Sequence, residues 1–205
     1  MKKAIWMLLM IPLAWGAAEI AETGRCVRNL EEGVIRLHVR ADSDSTADQT
    51  AKLAVRDAVL AHAEAWMPEG GDYAAQLSAL KAALPEIRAA AEDALRGAGV
   101  SDAVAADVHA EHFPARQYGE VTLPEGDYQA LCIEIGEGSG QNWWCVMYPG
   151  LCLPAAEERD TLAAHFDGET VTLAAQPEKY EIRLKCVELW KALTKKLFRN
   201  DVTDL

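Results

Sequence analysis

Val34-Ile-Arg-Leu-His-Val-Arg40 is the stretch that decides the fold, because apolar and basic residues alternate from Ile35 onward. Alternation with a period of two is typical of a β-strand. The aliphatic face comprises Ile35, Leu37 and Val39, and the opposite face comprises Arg36, His38 and Arg40. The pattern predicts a half-buried strand, with the aliphatic face in a core and the basic face in solvent.

Helices are predicted on the C-terminal side of this strand. Residues 41–45 favour a turn, and Ser45 followed by Asp48 is typical of a helix start. The predicted helices run from this start to about Trp66, from Tyr73 to Ala83, and from Pro85 to about Gly97. The first helix carries its apolar stripe on Leu53, Val59, Leu60 and Ala63.

Further strands and a last helix complete the predicted fold. Residues 103–113 and 128–135 alternate again and are predicted to pair as a long hairpin. Residues 154–178 are interpreted as a surface excursion with a weak strand candidate at 170–174. An amphipathic helix follows, with an apolar stripe of Ile182, Cys186, Leu189, Leu193 and Leu197. This order predicts a single two-layer α+β domain over residues 26–205, with an antiparallel or mixed sheet packed against helices.

The N-terminus predicts export. Lys2 and Lys3 precede an uncharged, largely apolar segment at residues 4–18, which is typical of a secretory signal over residues 1–18. This segment is shorter than the ~20 residues that span a bilayer comfortably. Cleavage of the signal and its retention as an anchor both stay open.

The net charge excludes one class of partner. The chain carries −12 at pH 7, and removal of residues 1–18 with their two lysines would give −14. Nucleic-acid binding requires clustered Lys and Arg against phosphate. We therefore expect no nucleic-acid partner.

Residues 136–152 form the most distinctive segment of the chain. A glycine-rich loop runs into Trp143 and Trp144, which an extended backbone would direct to opposite faces. One tryptophan can then fill the core while the other meets a neighbour. Cys145 and Cys152 flank a Pro-Gly turn and are predicted to form a disulfide, worth roughly 2–3 kcal/mol in the chain-entropy model. The alternative is that both are buried free thiols.

The sequence does not predict a catalytic or metal centre. The glycines lack the Gly-Lys-Ser/Thr of a phosphate loop, and His109 and His112 would face opposite ways on a strand. A capped turn accounts for the aspartates at 42, 44 and 48 more simply than a calcium loop does. No Cys sits beside an evident His along the chain. We expect no catalytic residue, no metal and no cofactor.

Three blocks carry a resemblance to a known family. They are Ile35-Arg-Leu-His-Val-Arg-Ala-Asp-Ser-Asp-Ser45, Tyr118-Gly-Glu-Val-Thr-Leu-Pro-Glu-Gly-Asp-Tyr-Gln-Ala-Leu131, and Ile135-Gly-Glu-Gly through Asn142-Trp-Trp-Cys145 to Leu151-Cys152. The chain resembles the stage II sporulation protein R family. The run Gly-Glu-Gly-x-Gly-x-Asn-Trp-Trp-Cys is the specific part of the match.

The resemblance implies a signalling role without catalysis by this chain. Family members are exported from the forespore into the space between the forespore and mother-cell membranes. There they trigger a membrane-embedded aspartic protease that removes the pro-sequence of pro-sigma E. We expect the contact residues to be Asn142, Trp143, Trp144, Glu137 and Arg36.

Two other interpretations stay open. Trp143 and Trp144 could form a stacking platform in a non-catalytic module that binds peptidoglycan of the cell envelope. The basic C-terminal helix also allows a peripheral membrane contact, although a core-packing helix with a solvated basic face is the simpler interpretation.

Overall fold

The protein is described here by a computed structural model that covers residues 2–68, 70–150 and 158–199. Within these ranges the helices are α1 (Lys2–Gly33), α2 (Thr46–Trp66), α3 (Tyr73–Ala82), α4 (Leu84–Gly97), α5 (Glu158–Ala163), α6 (Gly168–Ala175) and α7 (Glu181–Arg199). The strands are β1 (Ile35–Arg40), β2 (Val104–Phe113), β3 (Arg116–Tyr118), β4 (Val121–Leu123), β5 (Gly126–Ile135) and β6 (Asn142–Tyr148). A short 3-10 turn at Pro177–Lys179 precedes α7.

Strand β1 lies inside a four-stranded mixed sheet with the order β2-β5-β1-β6. It pairs parallel with β5 and antiparallel with β6, so that Leu37 lies between Leu131 and Cys145. Strands β2 and β5 pair antiparallel along their full length, which confirms the predicted hairpin. The small β3–β4 hairpin forms a second sheet within the connection between them.

The first core lies between the sheet and helices α2, α3 and α4. The aliphatic face of β1 is completely buried, as predicted. Helix α4 contributes the predicted stripe of Ile87, Ala91 and Leu95, and all three are buried. Helix α2 begins where predicted, because the Ser45 side chain accepts a hydrogen bond from Asp48 N.

The buried stripe of α2 differs from the prediction. It passes through Ala51, Val55 and Val59 at a spacing of four residues. Leu53 is two positions from this stripe, or about 200° around the helix, and is 36% exposed. The helix was predicted correctly, but Leu53 is not a core residue.

Two of the three residues on the second face of β1 are also buried, so the prediction that this face lies in solvent is wrong for Arg36 and His38. Arg36 is fully buried and His38 is 4% exposed. A second core covers them, built from α1, the β3–β4 hairpin, α5 and α6. The predicted α+β domain with a mixed sheet is confirmed, and the structure adds a helical layer on the second face of the sheet.

The segment between β6 and α7 contributes to this second core. Residues 170–174 lie in helix α6, so the strand prediction there is wrong. Asp167 caps the helix by accepting from Thr170 N, and Val171, Leu173 and Ala174 are buried. Residues 160–175 are therefore part of the fold and not a surface excursion, while 154–157 lie outside the described residues.

Helix α7 presents its predicted apolar stripe to solvent. It contacts α1 through Val187, which is 8% exposed and packs beside Gly24, and through ion pairs of Arg183 with Glu19 and of Lys191 with Glu31. Ile182, Cys186 and Leu189 are exposed, so the core-packing interpretation is wrong for them. The side chains of Leu193 and Leu197 lie outside the described residues. No described helix has both the length and the apolar character that a membrane crossing requires.

Truncation of two leucines tests the position of the first core. We expect Leu37→Ala to lower the free energy of unfolding by about 2–5 kcal/mol, since it leaves a cavity in the middle of the sheet. Leu53→Ala is the matched control and should cost less than about 1 kcal/mol. Urea denaturation followed by circular dichroism measures both, and equal losses would contradict the observed orientation of α2.

Candidate functional site

Two loops meet at one edge of the sheet and form the candidate site. The aspartate turn, residues 41–45, follows β1, and the glycine loop, residues 136–141, joins β5 to β6. Because β1 and β5 are parallel, their carboxyl ends lie at the same edge. The first and third blocks of the sequence resemblance are thereby brought into contact.

Backbone hydrogen bonds join the two loops directly. Gly140 N donates to Ala41 O at 2.9 Å, and Ser139 N donates to Asp42 O at 3.1 Å. Gly136 N donates in addition to Ala103 O at 2.9 Å, which fixes the start of the glycine loop. The two loops therefore behave as one hydrogen-bonded unit.

Aspartate side chains reinforce this unit. Asp42 Oδ1 accepts from Glu137 N at 2.7 Å, and Asp44 Oδ1 accepts from Gln141 N at 2.7 Å. Hydrogen bonds from backbone N–H groups to carboxylates are charge-assisted and stronger than neutral ones. These contacts explain the aspartates structurally and agree with the capped-turn interpretation.

Close approach of the loops requires glycine at two positions. A Cβ on Gly136 would lie 2.1 Å from Asp42 Oδ1, and the residue has a φ of +59°, which disfavours other side chains. A Cβ on Gly140 would lie 2.3 Å from the backbone oxygen of Ser43. The glycines serve the contact between two loops and do not cradle a phosphate.

A buried lysine connects helix α2 to the loops. Lys52 is 4% exposed, and its Nζ donates to Gln141 O at 2.9 Å and to Gln49 Oε1 at 2.6 Å. Gln49 Nε2 donates in turn to Ser43 O at 2.9 Å. Burial lowers the pKa of Lys52. The sequence pattern predicted no role for this lysine, because its burial depends on the contact between α2 and the loops.

The tryptophans lie on opposite faces of the sheet, as the sequence predicts. Trp143 packs against the first core and Trp144 against the second. The Arg56 guanidinium lies 4.3 Å from the ring centroid of Trp143, and that of Arg116 lies 4.1 Å from the ring centroid of Trp144. Both rings are half-buried and are engaged in cation–π contacts.

The other predicted contact residues occupy different environments. Glu137 and Asn142 are exposed at the loop edge. Arg36 is fully buried in the second core, where its guanidinium lies 4.1 Å from the Phe113 ring centroid and donates to Tyr118 Oη. The structure thus brings together Glu137, Asn142 and the tryptophans. A partner contact by Arg36 stays a prediction that its burial does not favour.

The structure describes four of the five cysteines. Cys145 is disulfide-bonded, whereas Cys26, Cys132 and Cys186 are free thiols. Cys152 lies outside the described residues, so its pairing with Cys145 stays a prediction.

The structure contains one polar cluster that the sequence did not predict. His38, Glu111 and Cys132 meet in the second core, and Glu111 Oε2 lies 2.7 Å from His38 Nδ1 and 2.9 Å from Cys132 Sγ. The interpretation that no Cys lies beside a His is therefore wrong in three dimensions. Burial and the neighbouring Glu111 raise the pKa of Cys132, so the thiol is not an activated nucleophile.

The fold and the site define a single-domain α+β protein whose motif residues build a loop unit at the edge of a mixed sheet. The family model described as Stage II sporulation protein R matches residues 31–158, a range that includes both loops and both tryptophans. The chain belongs to this family of sporulation proteins, as the sequence resemblance implied.

A curated relative supports the assignment. The chain is 32% identical over 160 residues to the stage II sporulation protein R of Bacillus subtilis (strain 168), which covers 74% of this chain and 71% of the relative. No solved structure matches the chain.

Replacement of a loop glycine by alanine tests the contact between the two loops. Gly140→Ala should lower the free energy of unfolding by about 1–3 kcal/mol, because the added Cβ collides with backbone that cannot rotate away. Gly97→Ala is the control: nothing lies within 4 Å of its Cβ position, and it sits in α4. The control should be neutral or stabilising by up to about 1 kcal/mol. Thermal unfolding compares the two, and a neutral Gly140→Ala would show that the loops do not touch.

Proposed function

We propose that this chain is an exported, non-catalytic sporulation signal that activates a membrane-embedded aspartic protease of the mother cell. The protease then removes the pro-sequence of pro-sigma E. The site of action is the space between the forespore and mother-cell membranes. Family membership supports the proposal, and the contact surface is assigned to the loop unit.

One observation carries the choice of surface. The glycine loop uses its backbone for hydrogen bonds with the aspartate turn, yet it leaves the Glu137 side chain exposed. Asn142, the next residue after the loop, is exposed at the start of β6. A surface that is already ordered loses less conformational freedom on binding. The loop unit therefore presents polar groups to a partner from a fixed frame.

Activation requires more than tight binding. The signal must bind the active arrangement of the protease more tightly than the inactive one, since only differential affinity shifts a population. A shift from 1:99 to 99:1 needs about 5.5 kcal/mol of such preference. A few charge-assisted hydrogen bonds of about 1.5–3 kcal/mol each can provide it.

The peptidoglycan-binding alternative is disfavoured by the tryptophan environments. Stacking on a sugar requires an open aromatic face, but one face of each tryptophan is covered by an arginine. The two rings also lie on opposite sides of the sheet. They therefore cannot form one continuous platform.

Substitutions at Glu137 and at the neighbouring Asn142 test the contact surface. We expect Glu137→Lys and Asn142→Ala to reduce pro-sigma E processing at least tenfold in cells that express the protease and lack their own signal protein. Each change removes an exposed polar group from the proposed contact. Glu86→Lys, on the exposed side of α4, is the matched charge control and should process normally.

Two outcomes distinguish an error in the proposed function from an error in the proposed contact surface. If the unaltered chain is secreted and folded but triggers no processing, the proposed function is wrong. If the unaltered chain works and both loop variants work equally well, the function stands and the surface lies elsewhere.

We also propose that an exposed apolar face contacts an anionic lipid surface. This α1–α7 face consists of Trp15, Ile182, Leu189 and Trp190, which are 69%, 81%, 62% and 68% exposed. The exposed Lys185 and Lys195 lie on the same helix as three of its members. Apolar side chains beside lysines are typical of helices that lie in a membrane interface.

Polar substitution on the α1–α7 face tests this contact. The double variant Ile182→Ser and Trp190→Ser should bind vesicles containing phosphatidylserine at least tenfold more weakly, since it removes two large side chains that would enter the lipid. Leu53→Ser provides a control at an exposed leucine on another helix. Co-sedimentation with vesicles measures binding, and equal binding by all three proteins would refute the lipid contact.

A further inference from the structure

The polar cluster in the second core has the composition of a metal site. It joins His38 of β1, Glu111 of β2 and Cys132 of β5, three strands that are adjacent in the sheet. We propose that these three residues bind a zinc ion.

The donor atoms already converge. One nitrogen, one carboxylate oxygen and one sulfur lie within 4.8 Å of one another. His38 and Cys132 are buried, and the Glu111 side chain is 17% exposed. Zinc is the divalent ion that is commonly held by imidazole, thiolate and carboxylate together. Three protein ligands would leave a fourth position for water.

The two ring nitrogens of His38 face different partners. Its Nε2 lies 2.8 Å from Asn142 Oδ1, and its Nδ1 lies 2.7 Å from Glu111 Oε2. A ring that donates Nε2–H to Asn142 has Nδ1 available as a ligand atom on the side of Glu111.

The surrounding residues resemble an outer coordination shell. A metal-bound histidine usually donates its other N–H to a fixed acceptor, and metal-bound carboxylates are themselves hydrogen-bonded. Asn142 meets the first requirement. Arg40 meets the second, donating to Glu111 Oε1 at 2.8 Å and to Glu134 Oε1 at 2.9 Å. Both ligand orientations are thus fixed through atoms that zinc would not use.

Zinc binding requires an adjustment of the three donor atoms, which lie within 4.8 Å of one another. Zinc–nitrogen and zinc–sulfur bonds of about 2.0–2.3 Å place tetrahedral ligand atoms about 3.3–3.6 Å apart. Glu111 Oε2 must therefore move outward by about half an ångström from each neighbour. When Zn²⁺ binds the sulfur of Cys132, the thiol loses its proton to solvent. The thiolate and the carboxylate together neutralise the metal charge.

Cobalt substitution offers a direct test. The full-length protein is titrated with Co²⁺, and the near-ultraviolet charge-transfer band of a cobalt–thiolate bond is recorded. We expect one equivalent to saturate the band and Zn²⁺ to displace it. Cys132→Ser should abolish the band, whereas Cys186→Ser, at an exposed free thiol, should retain it. Asn142→Ala should weaken binding about 10–100-fold through the outer shell.

The outcomes are decisive in both directions. Absence of the band in the unaltered protein, or its persistence in Cys132→Ser, would overturn the site. Far-ultraviolet circular dichroism shows whether Cys132→Ser remains folded. Should it unfold, Glu111→Gln provides a second variant, for which we expect at least a tenfold weaker affinity for Zn²⁺ measured by competition with a chelator. Unchanged affinity in Glu111→Gln would likewise overturn the site.

Discussion

Burial of strand β1 on both faces is the constraint on which the rest of the structure depends. A strand that alternates aliphatic and basic residues normally leaves its basic face in water, but here Arg36 and His38 are buried. Buried charged or polar groups are costly unless they are paired. His38 contacts Glu111 and Asn142. The Arg36 guanidinium lies among aromatic rings and donates to Tyr118 Oη, while its Nε and Nη1 have no hydrogen-bond partner among the described residues. Helix α1 and the β3–β4 hairpin are required because this face must be covered.

Parallel pairing of β1 with β5 determines where the family motifs meet. Antiparallel neighbours would place the aspartate turn and the glycine loop at opposite edges of the sheet. Because the strands run together, both loops leave the same edge, and Asp42 and Asp44 can cap backbone N–H groups of the glycine loop. Motifs that lie about 95 residues apart in sequence thus form one unit. Close approach at Gly136 and Gly140 explains why this unit needs glycine.

Sequence patterns predicted the elements whose neighbours are local. The Ser45 cap, the stripe of Ile87, Ala91 and Leu95, and the long hairpin follow from spacing alone, and the structure confirms them. Patterns failed where partners are distant in sequence. Burial of Arg36 depends on Phe113 at the end of β2 and on Tyr118 in the connection between β2 and β5. Helix α7 turns its apolar stripe outward because it contacts α1 through Val187 and through ion pairs of Arg183 and Lys191. The metal-ligating cluster depends on strand register, which no local pattern encodes.

Asn142 is the residue at which the two proposals meet. It starts β6, is exposed at the edge used by the glycine loop, and accepts a hydrogen bond from His38. A zinc ion on His38 would hold the imidazole in one orientation and thereby fix the Asn142 side chain. The buried metal site would therefore hold the Asn142 side chain in place before the protein meets a partner. A contact residue that is already ordered lowers the entropic cost of binding.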